Sequence, residues 1–386
     1  MYFSCSICVF IIPSLFQSFT FSSGDVLVTP PPFTINQTAL LQYLSLGNIT
    51  IDLPALYVFG DSFVDPGNNN FLNTSIKSNY TPYGIDFEGM PSGRTTNGRT
   101  VVDFIAQVVG LPFPPPALDV SEAKKNSRTG VNYGSASGGI LPSPPLVENL
   151  FGHVLSMDEQ IAFFENTTKD LKCQFNNAES FAQHLSKSLF FFHVGGNDLG
   201  LYWDLERHSN YSAQKYSQLL IDELSMQLQK LYELGVRKFF VNNVSPMGCQ
   251  PYSIVVEKPK TTQCVEEMNA RIVNFNKQIP PLLSHLQSTL PGSKFVLGDL
   301  YKIYEDVFAS PASYGFTNVK KSCCIDPFRN QTRPCAPNVE PCKERNQHVF
   351  FDPYHPSENM HFVIARRFLK DSSVSSPINL LQLIQS

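Results

Sequence analysis

Short apolar runs alternate with longer amphipathic stretches along most of the chain. Leu56–Phe59 is an unbroken apolar run stopped by Gly60, and Val131–Tyr133 is a second. Ser188–Val194 (SLFFFHV) is a third, stopped by Gly195-Gly196, with Lys238–Val244 (KFFVNNV) and Lys294–Leu297 (KFVL) as the fourth and fifth. Such short runs, lacking polar alternation and bounded by glycine, predict strands buried on both faces. Between them the spacing changes. Tyr216, Leu219, Leu220, Leu224, Leu228, Leu231 and Leu234 fall on one face at helical period, and Gly235 ends the pattern. Thr100–Val109 and Glu266–Leu290 also read as helical, the latter interrupted by Pro280-Pro281. Strand and helix in alternation predict an α/β fold with a parallel sheet covered on both faces.

That arrangement gives meaning to four polar segments. Ser62 follows the first strand, Gly139 the second and Asn197 the third. Open α/β sheets gather their sites at the carboxyl ends of the strands. The fourth segment, Asp352-Pro353-Tyr354-His355-Pro356, sets a carboxylate three residues before an imidazole in a proline-bounded turn. Acyl transfer needs a nucleophile, a base, an acid that orients the base, and donors for the oxyanion. Ser62, His355 and Asp352 fit the first three roles. The backbone N–H groups of Ser62 and Gly139 and the Asn197 amide fit the fourth, with Gly138 a rival to Gly139.

Each residue also has a plainer reading. A Gly-Asp-Ser turn often caps a helix, and Asn beside Gly often closes a turn. Asp61 and Asp65 are expected to be structural, Asp198 a helix cap, and Asn68-Asn69-Asn70 a turn. His193, inside the third strand, is expected in the core. His348 and His361 flank His355 but lack the HExxH spacing of a zinc helix. The G-x-S-x-G elbow of the α/β-hydrolases is absent, since Gly134–Gly138 centres on Ala136.

Charge and composition narrow the classes. The net charge is −4, and no lysine or arginine precedes Lys77. Nucleic-acid binding needs a cationic footprint and is disfavoured. The 31 phenylalanines suit either an apolar substrate groove or a well-filled core. Residues 1–23 read as a signal peptide, too short and interrupted for a stable membrane span. Residues 24–53 read as a loop-like N-terminal extension, 54–370 as one hydrolase domain and 371–386 as a C-terminal tail. Secretion also fits glycosylation sequons at Asn36, Asn48, Asn73, Asn166, Asn210, Asn243 and Asn330, although Pro246 counts against Asn243. Cys323, Cys324, Cys335 and Cys342 share one Pro/Asn-rich stretch. An adjacent Cys-Cys pair departs from C-x-x-C zinc spacing, so two disulfides are expected there. Cys249 and Cys264 offer a third, which leaves Cys173 unpaired.

The same segments carry a family resemblance. ALYVFGDSFVDPGNNN (55–70), GVNYGSASGGI (130–140), VGGND (194–198) and FFDPYHPSEN (350–359) resemble the four blocks of the GDSL esterase/lipase family, the SGNH hydrolases, in their secreted plant branch. SGRTTNGRTVVDFIA (92–106) and VSPMGCQP (244–251) are similar to intermediate stretches of that branch. The likeness runs from about Pro54 to Arg367. Two departures stand out: Phe63 replaces the leucine that names the family, and some thirty residues precede the first block. The resemblance implies a flavodoxin-like three-layer α/β/α sandwich with a mostly parallel five-stranded sheet. It implies a secreted serine carboxylic-ester hydrolase, in the apoplast or cell wall, acting without cofactor or metal. A small-molecule ester or acyl lipid is the expected substrate, and a monomer the expected state. It places the oxyanion donors at Gly139 and Asn197, and the acid and base at Asp352 and His355. An acyltransferase using the same site, and a non-catalytic lipid- or glycan-binding protein, are the alternatives.

Overall fold

The computed structural model describes residues 29–47, 49–88, 91–202, 212–260, 263–325 and 332–386. The signal peptide and the sequons at Asn48, Asn210 and Asn330 lie outside them. Four parallel strands form the centre of the sheet: β1 Leu56–Gly60, β2 Leu189–His193, β3 Lys238–Asn242 and β4 Lys294–Gly298. Alternate residues on these strands face opposite layers. Leu56, Val58, Phe191, Phe240 and Val296 pack with the helices Val101–Val109, Leu300–Ala309 and Glu358–Lys370. Tyr57, Phe59, Phe190, Phe192, Phe239 and Phe295 pack with Met157–Lys172, Ala213–Glu233, Glu266–Asn276 and Ile279–Thr289. The result is the expected three-layer α/β/α sandwich.

Many of the phenylalanines lie inside this core rather than in a groove. Phe59 stacks on Phe192 at 5.3 Å, Phe192 on Phe239 at 5.9 Å, and Phe239 on Phe295 at 4.2 Å, a ring ladder crossing the sheet. Fully burying one such side chain contributes about 1.5–3 kcal/mol.

Three expectations change in detail. Val131–Tyr133 runs beside β1, with Val58 N–H donating to Val131 O and Tyr133 N–H to Val58 O. It forms only isolated bridges, because Asn132 also pairs with Pro116 on its other side. The fifth strand comes instead from the tail. Before it, β5 Asn318–Ser322 and β6 His348–Phe350 pair separately, and in the tail β7 Ser375–Ser376 adds antiparallel to β4. The tail ends in a helix, Leu380–Gln385, whose Leu380, Leu383 and Ile384 are buried. The extension, expected to be loop-like, contains the helix Gln37–Tyr43. Asn36 caps it by accepting from Ala39 N–H, and Leu40, Leu41 and Leu44 enter the core. Seven residues are too few to show a helical period, but three leucines within five positions supply enough apolar surface to dock it.

Two proline effects follow the sequence. Pro280 and Pro281 do not break a helix interior. They occupy the first turn of Ile279–Thr289, where a missing N–H costs nothing, after Glu266–Asn276 has ended. Disulfides join Cys249 to Cys264, Cys323 to Cys342 and Cys324 to Cys335, while Cys173 is free and exposed. The adjacent pair Cys323-Cys324 thus pins one loop twice, as expected.

Candidate active site

The Ser62 segment leaves β1 through a forced turn. Gly60 has φ +151°, and a Cβ there would sit 2.1 Å from His193 O, so no other residue fits without moving β2. Gln160 locks this turn by accepting from Gly60 N–H and donating to Gly60 O, both at 2.8 Å. Ser62 follows, half-buried, with its carbonyl accepting from Thr95 Oγ1 at 2.7 Å. Among the described residues the Ser62 N–H has no protein acceptor. Phe63, in the place of the family's leucine, packs on His193 and His361 at ring distances of 4.3 and 4.8 Å.

The Asp352-to-Pro356 turn closes on itself. Asp352 Oδ1 accepts from the N–H groups of Tyr354 and His355, each at 2.8 Å, and Phe351 N–H donates to His355 O at 2.9 Å. The imidazole is thereby held against its own carboxylate, with Nδ1 at 2.9 Å from Oδ1 and 2.8 Å from Oδ2. Its other nitrogen, Nε2, lies 2.9 Å from Ser62 Oγ, across 293 residues of sequence. Asp352 is completely buried, and His355 keeps 19 % of its side chain exposed, open to an incoming molecule. The flanking helix starts at once, with Ser357 accepting from Met360 N–H as its cap.

The glycine-rich segment is stitched to the Ser62 segment. Asp65 accepts from Gly67, Asn68 and Ala136 N–H. Asn68 donates to the carbonyls of Asn132 and Gly134, and Asn69 Oδ1 accepts from Ser135 Oγ. The asparagine run expected to be a turn is therefore a short 3₁₀ helix that clamps one segment on the other. Gly138 N–H is spent on Ser135 O at 2.8 Å, whereas Gly139 N–H has no protein acceptor among the described residues. That distinguishes the two glycines. A Cβ on Gly139 would meet Tyr202 at 2.7 Å and Asp198 at 2.8 Å. Asn197 donates one amide proton to Gly138 O at 3.0 Å, leaving its second proton available. Asp198, expected to be a helix cap, instead accepts from Ile140 N–H at 2.9 Å and Leu141 N–H at 3.1 Å. Its carboxylate thereby ties the helical turn Asp198–Tyr202 to the end of the glycine-rich segment.

The remaining polar groups are bracing. Asp61 is buried, accepts from Phe63 N–H at 3.0 Å, and is pushed up to about 7 by burial. His193, also buried, is pushed down to about 3 by the same cause. Their 3.9 Å approach is therefore not an ion pair, since His193 carries no charge near neutral pH. His361 accepts from Val101 N–H and is likewise held near 3 by burial. His348 lies instead beside Cys342 on the disulfide loop. Arg94 makes a bidentate pair with Asp103, with both bonds at 2.8 Å, in the block that also supplies Thr95. From the opposite side, Gln250 donates to Tyr354 O and Tyr252 N–H to Pro353 O. Both intermediate blocks thus hold the site's loops. Among the sequons, Asn36, Asn73 and Asn166 are exposed. Asn243 is buried and donates to Asp299 Oδ1, while accepting from Tyr301 N–H. Its amide nitrogen is committed inside the fold, so it is withdrawn as a glycosylation candidate.

Three residues around the site were not singled out by spacing. Gln160 and Thr95 are ordinary polar residues of a helix and a loop. Tyr83, whose hydroxyl donates to Asp352 Oδ2 at 2.5 Å, lies 269 residues from its partner.

Comparison with known proteins finds a family. A sequence model of the GDSL-like lipase/acylhydrolase family matches residues 56–368. An Arabidopsis thaliana GDSL esterase/lipase is 39% identical over 367 residues, covering 94% of this chain and 92% of the relative. Arabidopsis thaliana GDSL esterase/lipase 7 is 39% identical over 337 residues, covering 86% and 92% respectively. A third Arabidopsis protein of that name is 37% identical over 340 residues, covering 86% and 91%.

Proposed function

The chain belongs to the GDSL lipase/acylhydrolase family, whose hydrolysis of ester bonds it shares, and from that premise we propose that Ser62, His355 and Asp352 carry the reaction through an acyl-enzyme. The observation that carries this reading is the unbroken contact chain from Asp352 through both nitrogens of His355 to Ser62 Oγ. A serine hydroxyl is a weak nucleophile until a base accepts its proton. His355 Nε2 takes that proton as Oγ bonds to the acyl carbon. Asp352 steadies the imidazolium and its tautomer, because its carboxylate is already fixed by two backbone N–H groups. The carbonyl oxygen gains negative charge beside the N–H groups of Ser62 and Gly139 and the second Asn197 amide proton. His355 then returns the proton to the departing alkoxide. Water, deprotonated by the same nitrogen, releases the acid and frees Ser62.

The substrate is a small-molecule ester, and acyl lipids are the class we favour. Secretion is part of the reading. Three disulfides suit an oxidising compartment, and no helix among the described residues is long and apolar enough to cross a membrane. The test is labelling with a fluorophosphonate probe. One site should react, and Ser62→Ala should abolish both the label and p-nitrophenyl ester hydrolysis with the fold intact. Label that persists in the variant, or maps to Ser135 or Ser137, overturns the assignment.

A further inference from the structure

Tyr83 connects the acid to a part of the molecule that is otherwise remote from the chemistry. Its ring is 1 % exposed and packs edge-on against Phe351 at 5.7 Å and Tyr80 at 5.4 Å, beside Cys323, Cys324 and Cys335. The hydroxyl has one proton to give and accepts at the same time. Cys335 N–H points at the phenol oxygen from 3.4 Å, and the proton goes to Asp352 Oδ2. Burial, reinforced by the charge of Asp352, raises Tyr83 well above its ordinary value, so the phenol keeps that proton. The Cys324–Cys335 disulfide closes the loop that supplies the Cys335 N–H. Two more bonds tie the chain around Cys335 to the tyrosine segment: Tyr80 Oη donates to Cys335 O at 2.8 Å, and Asn338 N–H to Thr81 O at 2.8 Å.

The carboxylate also has an anchor outside its own turn. Its Oδ1 is fixed by the turn, but His355 Nδ1 is nearly equidistant from both oxygens, so the imidazole contact alone does not set the carboxylate's rotation. On Oδ2 the only other donor among the described residues is Tyr83. We propose that Tyr83, seated against the Cys324–Cys335 disulfide, is a positioning residue that orients Asp352 toward His355. This rests on Asp352 being the catalytic acid.

The experiment measures ester hydrolysis and thermal unfolding on the full secreted chain. Tyr83→Phe keeps the ring and removes the hydroxyl. A hydrogen bond to a charged group is worth enough that kcat should fall about tenfold or more, with KM within about twofold. Tyr232→Phe deletes a tyrosine hydroxyl that donates instead to Pro291 O at 2.9 Å, outside this cluster, and should keep wild-type kcat. In an Asp352→Asn background, Tyr83→Phe should lower kcat no further, a coupling that a merely structural role would not produce. Wild-type kcat in Tyr83→Phe, equal kcat losses in Tyr232→Phe, or full additivity with Asp352→Asn each overturns the proposal. If Tyr83→Phe does not fold, the Cys324→Ala/Cys335→Ala pair replaces it. The same kcat loss at unchanged KM is then expected, and an unchanged kcat overturns the proposal. Should Asp352→Asn itself keep full kcat, the acid assignment falls and this inference with it. A loss in Asp352→Asn without one in Tyr83→Phe removes the positioning role alone.

Discussion

Replacing Asn197 with alanine separates catalysis from folding at this site. The amide nitrogen has two protons, and one already serves the fold by reaching Gly138 O at 3.0 Å. Losing that neutral bond costs about 0.5–1.5 kcal/mol of stability. For a chain of 386 residues this lowers the unfolding midpoint by roughly 4 °C at most. In the proposed mechanism the second proton acts only when the carbonyl oxygen becomes negative. Deleting one such donor typically removes ~2.7–4 kcal/mol of transition-state stabilisation, or ~100- to 1,000-fold in kcat. KM should stay within a few-fold, because the donor contributes little in the ground state. Initial rates on a p-nitrophenyl ester, read beside a thermal melt of the same preparation, measure both quantities. A kcat within tenfold of wild type would refute the oxyanion role. So would a rate loss that merely follows the fraction of unfolded protein at the assay temperature.

Two further outcomes follow from buried groups and thiols. Burial raises Asp61 to about 7, while an unfolded aspartate titrates near ~3.9, so the folded chain binds the extra proton between those values. Asp61 therefore stabilises the fold most below about pH 4, and that contribution is lost as the pH rises through about 7. Asp61→Asn has no proton to lose, so the variant's midpoint relative to wild type should climb from pH 4 to pH 8; a difference that stays flat across the range counts against the buried-acid account. Six cysteines are disulfide-bonded and Cys173 is exposed, so a maleimide applied without reductant should modify Cys173 alone among residues 29–386. Peptide mapping that finds label on Cys323, Cys324, Cys335 or Cys342 would contradict the double-pinned loop.

The sequence by itself determined what local chemistry can encode. Four unbroken apolar runs predicted the parallel core strands β1 to β4, because a strand buried on both faces has no polar alternation to hide. Gly60 was legible as a stop, and Asp352 and His355 as a pair, since three residues in a proline-bounded turn already bring carboxylate and imidazole together. The disulfide cluster was legible from density alone. The tertiary structure decided whatever depends on partners far along the chain. It left the Gly139 N–H without a protein acceptor among the described residues, while a local turn spends the Gly138 N–H on Ser135. It turned Asp198 from a cap into a clamp on residues 140 and 141, buried Asn243, and brought Tyr83 to Asp352. It also took the fifth strand from Ser375–Ser376, two residues with no periodicity to detect. A hydrogen bond across hundreds of residues leaves no mark on local spacing. It exists only because the sheet and its two helical layers, held by apolar burial, carry the two groups to the same place.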